Sequence, residues 1–84
     1  MNVIIRDFVG NKRSYEVKET DNVEILKAMI EFKTGVTTCS QKLTYGGKIL
    51  QDGHKIGDYN IRNLTVIEMV PKITDIFVEF NKAN

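Results

Sequence analysis

The side chains that could carry chemistry are few, and they do not form a reacting set. Cys39 is the single cysteine and His54 the single histidine. A cysteine nucleophile needs a base to draw off its proton. Cys39 sits in a polar run, Thr37-Thr38-Cys39-Ser40, with no histidine close to it in the sequence. One Cys and one His also fall short of the usual four-ligand zinc site. No acid, base and nucleophile constellation is visible, so no catalytic residue, no metal, no cofactor and no small-molecule substrate is expected. With one cysteine there is no disulfide framework, and a reducing compartment, cytoplasmic or nuclear, is the expected home.

The bulk composition narrows the partners. Lys and Arg total 12 and Asp and Glu 11, a net charge of +1, which gives no electrostatic reason to expect nucleic acid or an anionic membrane. No apolar run approaches the length of a membrane span, and Asn2 and Arg6 break any signal-peptide core. Eighty-four residues make one domain, close to the size at which a single core suffices.

The elements must be organised around Gln41–Ile61, QKLTYGGKILQDGHKIGDYNI. Gly46-Gly47 and Asp52-Gly53 supply turn positions, and Leu43, Tyr45, Ile49, Leu50, Ile56, Tyr59 and Ile61 are spaced as core side chains dropped from short elements. Upstream, Met1–Phe8 and Ser14–Glu19 alternate as the two strands of a hairpin turning at Gly10-Asn11. Arg13 stands where that alternation calls for an apolar residue, so it snorkels or the strand begins after it. Asp21-Asn22 offers an N-cap for a helix over Val23–Lys33, with Glu24 in its first turn and Gly35 as its C-cap. Val23, Leu26 and Ile30 form its inward stripe. Leu64–Val70 is a last strand with Ile67 and Met69 facing one side, ended or held at an edge by Pro71. The expected architecture is α+β, one helix on a mixed sheet, with the first and last strands central.

Two apolar sets lie outside this scheme. Ile25, Met29 and Phe32 form a second stripe on the helix. Beyond Pro71, Ile73, Ile76, Phe77 and Phe80 fit a helix, whereas Ile76, Val78 and Phe80 fit a strand. These sets are expected to pack on each other or to form a second interface.

In this order of elements, the chain resembles ubiquitin. The run Leu43, Gly47, Lys48, Leu50, Asp52, Gly53, Asp58, Tyr59, Asn60 and Ile61 carries the likeness. It continues without a gap from Met1 to about Val70 through Gly10, Glu16-Val17, Asp21, Glu24, Lys27-Ala28, Ile30, Lys33 and Gly35. The resemblance implies a β-grasp fold with a five-stranded mixed sheet over residues 1–71, and leaves 72–84 as an extension or linker. It implies a largely buried Lys27–Asp52 pair, and a Tyr59 hydroxyl bonded to the backbone of the Asp52–Lys55 turn. Lys27, Lys33 and Lys48 match lysines used for chain building in ubiquitin, and are read here as surface or structural lysines.

The departures from the family pattern direct the functional expectation. Modifiers of this family end in an arm closing with Gly-Gly. Here the arm reads Pro71-Lys72-Ile73-Thr74, and no glycine follows Gly57. A non-conjugated interaction module is expected, the N-terminal domain of a larger protein in the ubiquitin–proteasome system. The alternative is a free-standing mimic that binds conjugation enzymes or receptors without transfer. The implied recognition patch falls on Phe8, Thr44, Gly47, Glu68 and Val70, with a second family patch at Phe8, Val36 and Ile73. A proteasomal or other ubiquitin-receptor protein is the expected partner, with its own Lys or Arg meeting Glu68.

Overall fold

A computed structural model describes residues 1–71, with side chains through Val70. Its elements are β1 (Asn2–Arg6), β2 (Lys12–Glu16), α1 (Val23–Thr34), β3 (Gln41–Tyr45), β4 (Lys48–Ile49) and β5 (Thr65–Pro71). Short 3-10 turns occupy Thr38–Ser40 and Ile56–Tyr59. The expected residues Ile73, Ile76, Phe77 and Phe80 lie outside the described residues.

The strands form one five-stranded mixed sheet in the order β2-β1-β5-β3-β4. β1 and β5 run parallel at the centre, the position expected if the helix crosses from the hairpin to the rest of the sheet; every other neighbouring pair is antiparallel. This is the β-grasp arrangement: α1 covers one sheet face and the other stays open. Val3, Ile5, Tyr15, Val17, Leu43, Ile67 and Met69 come from the sheet side and meet Val23, Leu26 and Ile30 of α1. Leu50, Ile56 and Ile61 fill the remaining space from the connections. Gly46 and Gly47 both have positive φ, 61° and 79°, so the two-residue turn joining β3 to β4 uses a conformation that suits residues without a Cβ.

Several strand limits differ from the alternation, among them the end of β2, at Glu16 instead of Glu19, and the start of β5, at Thr65 instead of Leu64. β1 ends at Arg6 because Asp7 takes over the backbone: its Oδ1 accepts from the Val9 and Asn11 N–H groups, at 3.1 and 2.9 Å. Such a side chain substitutes for ladder partners and starts a turn. β2 starts at Lys12, before Arg13, and Arg13 is exposed although it shares the parity of buried Tyr15.

The start of α1 corrects a further expectation. Asn22 occupies the N-cap position, but no side chain caps the helix. Asp21 instead accepts from the Lys18 N–H at 2.9 Å. One donor at the helix start is met from a distant segment, and further bonds tie that segment to the helix entrance. Val23 N–H donates to the His54 carbonyl at 2.9 Å, and Glu24 Oε1 accepts from Gly53 N–H at 2.8 Å. Ile56 and Gly57 N–H groups donate to the Asp21 and Glu19 carbonyls, each at 2.9 Å. Glycine suits this approach: a Cβ at Gly57 would stand a tight 3.1 Å from the Glu19 carbonyl oxygen, which would have to give by a few tenths of an ångström. At the other end, Gly35 closes the helix in the left-handed region, as expected.

Lys27 is buried and its Nζ lies 2.9 Å from Asp52 Oδ1, but the pair is not largely buried: the side chains are 9% and 62% exposed. The short turn that carries Asp52 stays at the surface, so only the lysine is desolvated. Tyr59 also corrects its expected partner. Its hydroxyl accepts from the Gln51 N–H at 2.9 Å, just before the Asp52–Lys55 turn.

Candidate protein-interaction surface

The open sheet face is built by the outward residues of the same strands that make the core. β-strand geometry sends alternate side chains to opposite faces. On β5, Ile67 and Met69 point to the core, and Val66, Glu68 and Val70 are left on the other side. Register then decides which outward residues are neighbours. Lys12 lies opposite Arg6, Arg6 opposite Glu68, Glu68 opposite Thr44, and Thr44 opposite Ile49. One row therefore crosses all five strands, reading Lys12, Arg6, Glu68, Thr44, Ile49.

Within this row Arg6 Nη2 and Glu68 Oε1 form a hydrogen-bonded ion pair. Both side chains are about half exposed, at 46% and 48%, so the pair contributes only ~0–1 kcal/mol to stability. Its main effect is on the charge that this face presents. The Lys or Arg expected on a partner to meet Glu68 is already supplied by this chain. Lys12, set directly opposite Arg6, adds an unfavourable like-charge neighbour that Glu68 offsets from the other side. Lys42 stands opposite Val70. Three cations thus face one anion, and the surface is basic.

A shallow depression of about 760 Å³ lies over this row, walled by Arg6, Lys42, Thr44, Gly47, Ile49 and Glu68 among others. Next to it, Phe8 and Val70 line a second hollow with Arg6 and Glu68. Phe8 is 72% exposed on the Asp7–Gly10 turn, and Val70 is half-buried. The five residues expected from the resemblance, Phe8, Thr44, Gly47, Glu68 and Val70, thus lie on adjoining depressions of one face. Val36 joins Phe8 and Val70 at its edge, with Ser40 and Met69. Ile73, the third member of that second patch, lies outside the described residues.

Arg6, Lys12, Lys42 and Asp7 were not singled out in the sequence. The first three are outward by alternation, but their convergence depends on strand order. Asp7 had a local signal, an Asp two and four residues before the N–H groups it captures.

The second helix stripe is exposed at Ile25 and Phe32, whereas Met29 packs partly against the core. Cys39 is exposed in its 3-10 turn. His54 is in a separate turn, with Nδ1 3.8 Å from Asp58 Oδ2. Among the described residues, no group of three or more His, Cys, Asp or Glu is placed to hold a metal.

Strand order and the single covering helix together define a small β-grasp domain. The ubiquitin family matches residues 3–73, and the chain belongs to that family. Its relatives include human ubiquitin-like protein 4A, 31% identical over 72 residues that cover 86% of this chain and 46% of that protein. Ubiquitin-like protein NEDD8 of Dictyostelium discoideum is 26% identical over 70 residues, 83% of this chain and 91% of that protein. Human ubiquitin D is 45% identical over 47 residues, 56% of this chain and 28% of that protein. The chain thus spans less than half the length of ubiquitin-like protein 4A and of ubiquitin D. Domains of this family are generally non-enzymatic modifiers or interaction modules.

Proposed function

We propose that the chain is a non-conjugated ubiquitin-like domain that binds proteins through its open sheet face. On this reading it is the N-terminal domain of a larger protein of the ubiquitin–proteasome system, acting in the cytoplasm or nucleus. The observation that carries the reading is the cross-sheet row Lys12-Arg6-Glu68-Thr44-Ile49 lying beside exposed Phe8 and half-buried Val70. The internal Arg6–Glu68 pair lets a partner settle over Glu68 without stranding its charge. The unmatched cations favour a partner that presents an apolar anchor flanked by Asp or Glu, such as a receptor helix laid across the sheet. Pro71-Lys72-Ile73-Thr74 in the arm, with no glycine from residue 58 to 84, supports the absence of conjugation.

Titration calorimetry with a purified proteasomal ubiquitin receptor tests this reading. Binding is expected, weakened about tenfold or more by Phe8→Ser or Val70→Ser, as for apolar anchors at an interface. No heat of binding at high receptor concentration would contradict it. An ATP-dependent thioester with a ubiquitin-type activating enzyme would contradict the non-conjugated part.

The match to NEDD8 of Dictyostelium discoideum, which covers 91% of that protein, favours a second reading as a free-standing mimic. A gene continuing past Asn84 would favour the domain reading over the mimic.

A further inference from the structure

A second surface, on the outer side of α1, is separate from the open sheet face and independent of the function proposed for it. Ile25, Met29 and Phe32 wall a groove of about 450 Å³ against Ser14 and Tyr15 of β2. β2 is an edge strand, so among the described residues no further strand covers that side. Phe32 is 92% exposed, and Ile25 is exposed as well. Water-facing aromatic and aliphatic side chains aligned along one helix flank are unfavourable unless something covers them. Below them, the Tyr15 ring lies under Lys33 Nζ, 5.1 Å from it. The Tyr15 hydroxyl is buried and has no hydrogen-bond partner among the described residues. The groove is therefore mostly apolar along its length, with Lys33 and Glu16 as its charged lining residues.

We propose that residues 72–84 of this same chain occupy the groove. Their composition fits its chemistry. Ile73, Ile76, Phe77 and Phe80 supply apolar side chains, and Asp75 and Glu79 supply carboxylates that can meet Lys33. Their point of departure also fits. Phe8, Val36, Ser40, Met69 and Val70 line one hollow, so the end of β5 is beside the end of α1. From there the groove begins at Phe32 and Lys33, in the last turn and a half of the helix. Ile25 to Phe32 spans about 10 Å of helix axis. The 13 residues from Lys72 to Asn84 reach about 20 Å as a helix and about 43 Å extended, so either form covers it. Closure within one chain also avoids the entropy loss of recruiting a second molecule.

The test uses the full chain. Nuclear Overhauser contacts are measured between the Phe32 ring or Met29 methyl and the side chains of Ile76, Phe77 and Phe80, together with amide exchange over 73–80. The proposal predicts these contacts and protection of at least about tenfold over unstructured amides. Phe32→Ser, a surface change, is expected to abolish that protection while leaving the Ile30 and Leu43 signals in place. Lys33→Glu is expected to lower it several-fold, and adding Asp75→Lys to restore it. Contacts seen only between differently labelled chains in a mixed sample would overturn the proposal in favour of a second copy. Unprotected amides without contacts would overturn it, and so would protection unchanged by Phe32→Ser.

Discussion

The two faces of the sheet share the same strands and differ in what they demand. On the covered face, Val3, Ile5, Tyr15, Leu43, Ile67 and Met69 are buried under α1, so size and apolarity are constrained at each position. On the open face, the intervening positions hold Arg6, Lys12, Lys42, Thr44, Val66 and Glu68, and charge is neutralised laterally by an exposed ion pair. The first face holds the fold together and the second is free to specialise. A charge that would be severely destabilising among the core residues costs little on the open face, where it changes what the surface can bind. This division explains how the domain keeps the β-grasp frame while two positions of the implied recognition patch, Thr44 and Glu68, have become polar.

The sharpest way to break the comparison is to cut into the covered face. Leu43→Ala or Ile30→Ala removes a fully buried side chain and should cost about 2–5 kcal/mol. Urea denaturation would show it as a lowered midpoint with most of the domain's stability gone. A similar loss from Glu68→Ala would mean that the faces are not separable.

An intermediate effect is expected where the helix start meets the 51–57 segment. Asp52→Ala leaves the Lys27 ammonium in place without its 2.9 Å partner and should cost about 1–3 kcal/mol. Lys27→Met, which removes the buried charge itself, should cost less. The opposite order in urea midpoints would show that the lysine stem, not its charge, matters at this contact.

On the open face, Glu68→Gln should change stability by less than ~1 kcal/mol. It should instead make binding of an acidic partner tighter and more salt-dependent, because Arg6 is freed. Affinity measured at two ionic strengths checks this; unchanged salt dependence would show that the row does not face the partner.

The smallest effect concerns Tyr15. Burial raises its phenol pKa, and Arg13 lowers it by less. The neutral form is favoured in the fold, so its contribution is fully present below about pH 10, the unfolded value. It is lost as pH rises through the higher folded value. The fall in urea midpoint above pH 10 should be shallower in Tyr15→Phe than in the parent, and an equal fall would place the alkaline loss elsewhere.

The frame was largely legible because it rests on local patterns. Period-two alternation marked Ile67 and Met69 as inward, and Val23, Leu26 and Ile30 marked the docking stripe of α1. The misses arise from contacts between segments far apart in sequence. Glu24 accepts from the Gly53 N–H and Val23 N–H donates to the His54 carbonyl, so the helix start is anchored from afar while Asn22 makes no side-chain cap. No pattern near Asn22 reports that. Alternation likewise places Arg6, Glu68 and Lys12 outward. That they sit side by side follows only from strand order and register, which put β1 between β2 and β5. Likeness to the family supplied the patch positions but not the internal pairing that changes their chemistry.

The most direct test of recognition by the open face is an amide shift map of the full chain titrated with a proteasomal ubiquitin receptor. Shifts gathered at Arg6, Phe8, Lys42, Thr44, Gly47, Glu68 and Val70 are the predicted result. Shifts confined to Ile25, Met29 and Phe32, with the open face silent, would contradict it.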